Sequence, residues 1–165
     1  MSEFTETIVA QLQFAHWAAT RNLDEMTHGD SIVRPAGGGN DFNWVLGHII
    51  SVRNALLGLF GETPVWEAET SRAYASASTE ETSSRLPLDD LRAAFTATHE
   101  RLVAAIARAD EATLGGKAPF SPGKPDPNET LRTLLGKVVV HESYHIGQLG
   151  VLRRAAGKSG AIRRG

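Results

Sequence analysis

The chain has no cysteine. That excludes disulfides, thiolate metal sites and cysteine nucleophiles, so any metal must be held by nitrogen and oxygen. An excess of charge of either sign is also missing. With 17 Lys and Arg against 19 Asp and Glu, the formal net charge is -2, and the signs are mixed, so there is no electrostatic footprint for nucleic acid or an anionic membrane. The basic stretch from Arg153 to Arg164 is short and reads as a helix end. No run approaches the ~18 apolar residues of a membrane span. The opening MSEFTETIVAQLQFAHW carries acids where a signal peptide carries bases. These absences lead us to expect a cytoplasmic protein with no membrane or nucleic-acid partner, and the lack of alternating apolar patterns argues against strands.

What is present is helical periodicity. A first helix is expected from Glu3 to Met26, with Phe4, Ile8, Leu12, Ala15, Ala19, Leu23 and Met26 at steps of three and four. The glycine-rich THGDSIVRPAGGGN, Thr27 to Asn40, ends it. A second helix starts at Asn40 or Asp41, either of which can cap it, and carries Val45, Ile49, Val52, Leu56 and Phe60 on one face. From Gly61 to Pro87 the composition turns to Ser, Thr, Ala and Glu, with Trp66 and Tyr74 as the large anchors. A connection of that length usually forms a lid or binding loop, and the run from Thr79 to Ser84 reads as solvated. A third helix begins at Leu88 or Asp89 and places Leu91, Phe95, Thr98, Leu102 and Ile106 together. After the Pro- and Gly-rich Leu114 to Asn128, the order Asp126, Pro127, Glu129 reads as N-cap, first helical position and capping-box acid of a last helix. The whole chain, 1–165, is therefore expected to be a single all-α domain, a four-helix bundle with long connections.

The last helix, Leu131 to Ala155, is the unusual one. Its seam of Leu131, Leu134, Val138, His141, His145, Gln148, Leu152 and Ala155 is polar at three consecutive places. An unpaired imidazole or amide facing hydrocarbon costs on the order of 1–3 kcal/mol, and a metal ion is the most economical partner. Histidines four apart differ by only about 40° of azimuth, so both rings reach one ion. The pentad HESYH also matches the zinc-peptidase pattern. Zinc peptidases of that type take a third ligand downstream, yet no His, Asp or Glu follows Ile146. The third ligand must come from His16, His28, His48, His99 or an acid. His48 is preferred because it borders the buried face in mid-helix, whereas His16 and His99 read as satisfied core histidines and His28 as solvated. Glu142, between the two histidines, is a candidate catalytic acid or base, and Gln148 a candidate substrate or ligand-orienting contact. Trp17, Trp44 and Trp66 read as packing or interface residues.

LGHI around His48 together with HESYHIGQL around His141 to Leu149, on the second and last of four long helices, resembles the DinB/YfiT-like superfamily of metal-dependent bundles. The resemblance implies a down-up-up-down four-helix bundle, usually a homodimer, with zinc or nickel held by His48, His141 and His145. Several members are similar to thiol-dependent S-transferases or isomerases that use mycothiol, bacillithiol or glutathione on a small-molecule substrate. Three neutral imidazoles would leave an open coordination position, the arrangement of a catalytic rather than a structural site. Two other readings stand beside the transferase: a non-catalytic bundle that binds metal or a partner, and a small hydrolase with Glu142 as base.

Overall fold

The computed structural model describes residues 1–75, 85–119 and 126–162. Four long helices carry the fold: α1 (Glu3–Leu23), α3 (Phe42–Leu59), α5 (Leu88–Arg108) and α7 (Leu131–Ala155). Three short ones, α2 (His28–Ser31), α4 (Ala68–Ala73) and α6 (Glu111–Gly115), lie in stretches that the sequence pattern alone assigns to connections. The Thr79 to Ser84 run falls outside the described residues.

Two apolar clusters fix the direction of every long helix. One gathers Ala15 to Leu23 of α1, Phe42 to Ile50 of α3, Leu88 to Phe95 of α5 and Ile146 to Leu152 of α7. The other gathers Ile8 to Leu12, Leu56 and Leu57, Leu102 to Ile106, and Leu131 to Val138. So α1 and α7 run one way, α3 and α5 the other. Because α1 and α3 each pack on both α5 and α7, the order around the bundle is α1, α7, α3, α5. This is the down-up-up-down arrangement, and it explains the longest connection. Parallel neighbours α3 and α5 require the chain to return the full length of α3, about 27 Å for its 18 residues at 1.5 Å each.

Asn54 holds that crossover to α3. Its amide oxygen accepts from the backbone nitrogens of Val65 (2.6 Å) and Trp66 (3.0 Å), and its amide nitrogen donates to the Trp66 carbonyl and the Ser71 hydroxyl. As the sequence suggests, Asp41 caps α3, accepting from the Trp44 backbone at 2.8 Å. Two boundaries differ from the expectation. First, α1 stops at Leu23 rather than Met26. The buried Arg153 guanidinium takes the carbonyls of Asn22 and Asp24, and Glu25 turns into the left-handed region with φ 61°. Second, the last helix is capped by Thr130, reciprocally with Thr133, and not by Asp126. Asp126 instead closes the preceding turn, accepting from the Asn128 nitrogen at 2.9 Å, and Glu129 is buried against the Thr133 hydroxyl and Lys137.

Between the two apolar clusters lies a polar layer to which each long helix contributes: His16, Arg53, Thr98 with His99, and Glu142. At its α1–α5 side the His16 and His99 rings stack face to face, 3.9 Å apart and within 5° of parallel, and His16 also stacks on Phe95 at 4.6 Å. The buried Nδ1 of His16 has no hydrogen-bond partner, which favours the tautomer with its proton on Nε2, because an unpartnered acceptor is tolerated better than an unpartnered donor. Burial, then the nearby Arg53 charge, lowers the His16 pKa to about 4. Burial, then the charges of His16 and Arg53, lowers that of His99 to about 3. Both rings are therefore neutral in the folded protein at neutral pH, while the unfolded chain takes up protons near the ordinary 6.5. Their contribution to stability is complete above pH 6.5 and is lost as the pH falls from 6.5 toward about 4 for His16 and about 3 for His99. Urea unfolding in the presence of a chelator will show this decline, and a His16→Phe/His99→Phe double variant will make it shallower, leaving the share due to His48, His141 and His145, whose pKa values burial also lowers. An equally steep decline in that variant would contradict the assignment.

Candidate metal centre

His48 projects from the second turn of α3 and His141 and His145 from the middle of α7, so antiparallel packing of the two helices brings the three rings together. The Nε2 atom of His141 lies 3.2 Å from Nε2 of His48 and 3.1 Å from Nε2 of His145. The far nitrogens of two rings are already committed. His48 Nδ1 lies 2.8 Å from the backbone carbonyl of Tyr74, and His145 Nδ1 lies 2.7 Å from Oε1 of Gln148. A carbonyl oxygen only accepts, so the proton of each neutral ring is on Nδ1 and its Nε2 lone pair points into the cluster.

That arrangement cannot satisfy itself. His141 carries at most one Nε2 proton as a neutral ring, and it faces two lone pairs. A fully charged cluster is disfavoured as well. Burial lowers the pKa of all three rings, and for His141 burial together with the charges of His145 and His48 lowers it to about 4. One divalent cation resolves both problems, since it accepts three lone pairs at once. The spacing suits it: around a tetrahedral ion with bonds of ~2.0–2.1 Å, neighbouring ligand atoms are separated by about 3.3 Å. The donor set, three neutral imidazoles without a carboxylate, suits zinc, nickel, copper or iron. Among the described residues this is the one group of three or more His, Asp or Glu that can share an ion.

The surroundings hold the rings still. The Trp44 indole, buried, covers the face of His48 at 4.9 Å and within 6° of parallel, and its Nε1 has no hydrogen-bond partner. Gln148, having accepted from His145, donates to the Tyr144 hydroxyl at 3.3 Å. Gln148 thus stands beside the cluster, bonded to the far nitrogen of His145.

Glu142 does not join it. Its side chain turns to the bundle axis, where both carboxylate oxygens meet the Arg53 guanidinium, one of them at 3.0 Å from Nε. Arg53 is 1% and Glu142 2% exposed. The guanidinium is completed by the Phe95 carbonyl at 3.2 Å and lies 4.3 Å over the Phe95 ring. The seam read from the sequence is therefore rotated. Glu142 occupies the buried centre of α7, flanked by Val138, His145, Ile146 and Leu149, while His141 and Gln148 sit at its border and Ala155 is exposed. Arg53 and Tyr74 are the site residues that periodicity does not single out. An arginine within an apolar helix face, FNWVLGHIISVRNALLGLF, is the signal that points to the first. His16, His28 and His99 take no part: the first and last form their own stacked pair, and His28 is exposed in α2.

A model of the DinB superfamily matches residues 10–149. A crystal structure of a conserved protein from Enterococcus faecalis is similar at a TM-score of 0.70 with 17% sequence identity, over 96% of this chain and 100% of that one. No curated protein matches the chain.

The two fates of neighbouring residues on α7 can be separated by mutation. Glu142→Ala strands a buried guanidinium and will lower stability by about 3–5 kcal/mol in urea unfolding, yet a chain that still folds at low temperature will bind one equivalent of Zn²⁺. Loss of metal binding without loss of stability would place the carboxylate in the coordination sphere instead.

Proposed function

The chain belongs to the DinB superfamily, and from that premise we propose that it is a divalent-metal-dependent enzyme whose ion is held by His48, His141 and His145. The observation that carries this reading is the convergence of three Nε2 atoms, two of them with their lone pairs fixed inward by acceptors on Nδ1. Zinc and nickel are the metals we favour, as borderline ions well served by imidazole.

Charge supports a more specific reading. Three neutral imidazoles cancel none of the ion's charge, and the nearest acid, Glu142, is already neutralised by Arg53. The open position therefore favours an anion. A divalent ion in such a site lowers the pKa of a bound thiol or water, so that the anion is available near neutral pH. We assign the thiol role to a small molecule, because the chain has no cysteine to supply one. The proposed activity is S-transfer, in the cytoplasm, from mycothiol, bacillithiol or glutathione to a small electrophilic substrate. The chain's own residues bind and orient: Tyr74 and Gln148 hold two rings, and Trp44 shields His48 from water. A hydrolase with Glu142 as base is disfavoured by the ion pair that occupies both of its oxygens.

Metal analysis of untagged protein tests the first level. We predict one equivalent of zinc or nickel per chain and its loss in His145→Ala, whereas a metal-free wild type would overturn the reading. Assays of the metal-loaded protein with electrophiles and each of the three thiols test the second. Turnover that depends on a thiol and disappears in His48→Ala is expected, and metal-dependent ester or amide cleavage without any thiol would reverse it.

We also propose a homodimer built on the outer face of α1 and α7. Phe14, Trp17, Val140, Tyr144 and Val151 are exposed there, with the Phe14 and Trp17 rings 5.4 Å apart. An apolar groove of about 710 Å³ lies between the helices, floored by Ala10, Ala15, Ala18 and Ile146. Sedimentation should give a dimer for the wild type and a monomer for Phe14→Asp/Val140→Asp. A monomeric wild type would contradict the proposal.

A further inference from the structure

Tyr74 reaches the metal centre from the crossover, and the role proposed for it rests on the metal-site reading. Tyr74 ends α4 and is 1% exposed. Three of its parts are fixed independently. Its ring lies against Gly47, the residue before the ligand His48, so closely that a Cβ at position 47 would sit 2.1 Å from the ring. Its hydroxyl donates to Oδ1 of Asn43 at 3.1 Å and accepts from the Leu86 nitrogen at 2.9 Å, while the Asn43 amide donates to the Leu86 carbonyl at 2.9 Å. Its backbone carbonyl meets His48 Nδ1 at 2.8 Å.

These contacts have one geometric consequence. A tyrosine pinned at ring and hydroxyl has its backbone pinned too, and here that backbone presents an acceptor to a histidine one residue from the glycine on which the ring rests. We propose that Tyr74 is a positioning residue for the metal centre, in which the ring locked on Gly47 holds the carbonyl that keeps the His48 proton on Nδ1 and its Nε2 lone pair turned to the ion. Position 47 requires glycine for that reason and not for helix flexibility. Gly58, in the same helix, has nothing within 4 Å of a Cβ and carries no such requirement. Orienting groups of this kind commonly change metal affinity about 10–100-fold when they are lost.

Two measurements test this. Long-range ¹H–¹⁵N NMR of the metal-free wild type should show His48 protonated on Nδ1, a readout independent of whether metal binds. Zn²⁺ titration should then show affinity weakened about 10–100-fold in both Gly47→Ala and Tyr74→Ala, with the His48 proton redistributed between its nitrogens. Gly58→Ala should bind as the wild type does. So should Asn54→Ala, which loosens the crossover without touching Tyr74 and separates positioning from a loss of stability. If Gly47→Ala does not fold, Tyr74→Ala decides. An Nε2-protonated His48 in the wild type, or wild-type affinity in either variant, would overturn the inference. A wild type that shows the Nδ1 proton but binds no Zn²⁺ would sink the metal-site reading, and with it the role claimed for Tyr74.

Discussion

Taking a guanidinium and a carboxylate out of water costs several kcal/mol per ion, and the bundle recovers this only if Arg53 and Glu142 meet with good geometry. That requirement sets the register of α3 against α7. With the pair formed on the axis, the residues one position before Glu142 and three after it fall at the border of the helix interface, and these are the two histidines of α7 that meet His48. His48, just over one turn before Arg53, then arrives opposite them. The ion pair makes no contact with substrate in our account; it favours the register in which the rings converge, a register that the apolar packing of α3 and α7 also holds.

The same pair links the two halves of the polar layer. On one side lie the three imidazoles. On the other, the guanidinium rests on Phe95, whose ring stacks with His16, which in turn stacks on His99. The positive charge of Arg53 contributes to keeping both of those histidines neutral. Glu142, beside the cluster, acts in the opposite sense on His145, though burial outweighs it and that ring is also held neutral. The core is thus two apolar clusters divided by a layer in which polar groups from different helices meet. Such a layer favours one register over slipped alternatives, because a shift of one turn would leave buried charges unpaired.

Much of this was legible before any coordinates. The apolar periods of the four long helices, the Asp41 cap and the anchoring roles of Trp66 and Tyr74 follow from local chemistry, and the structure retains them. The convergence of His48 with His141 and His145 is legible as well: two histidines four apart on a helix call for a partner, and His48 is marked out by its place in mid-helix beside the buried face and by the resemblance of both motifs to the superfamily. What could not be read was set by other parts of the chain. Periodicity centres the α7 seam on His141 because a glutamate is ordinarily solvent-facing; only Arg53, 89 residues earlier, offsets the cost of burying Glu142. The local pattern offers Asp126 as the cap of α7, but Thr130 competes successfully for it, and that pattern extends α1 one turn too far because Arg153 and Arg92, from distant parts of the chain, claim the carbonyls at its end. A backbone carbonyl such as that of Tyr74 has no sequence signature at all.

Membership of the superfamily and the fold give the frame, and the reaction has to be argued from the site. What the site offers is an inward-facing set of three nitrogen donors without a compensating carboxylate, its ligands braced by a carbonyl, an amide and an indole. The most direct test is X-ray absorption at the zinc edge of protein loaded with one equivalent of the metal. Our account predicts three imidazole nitrogens at ~2.0–2.1 Å with the remaining position filled by a light non-protein atom, and replacement of that atom by sulfur when a low-molecular-weight thiol is added. A first shell with two or fewer imidazoles, or one that includes a protein carboxylate, would contradict it.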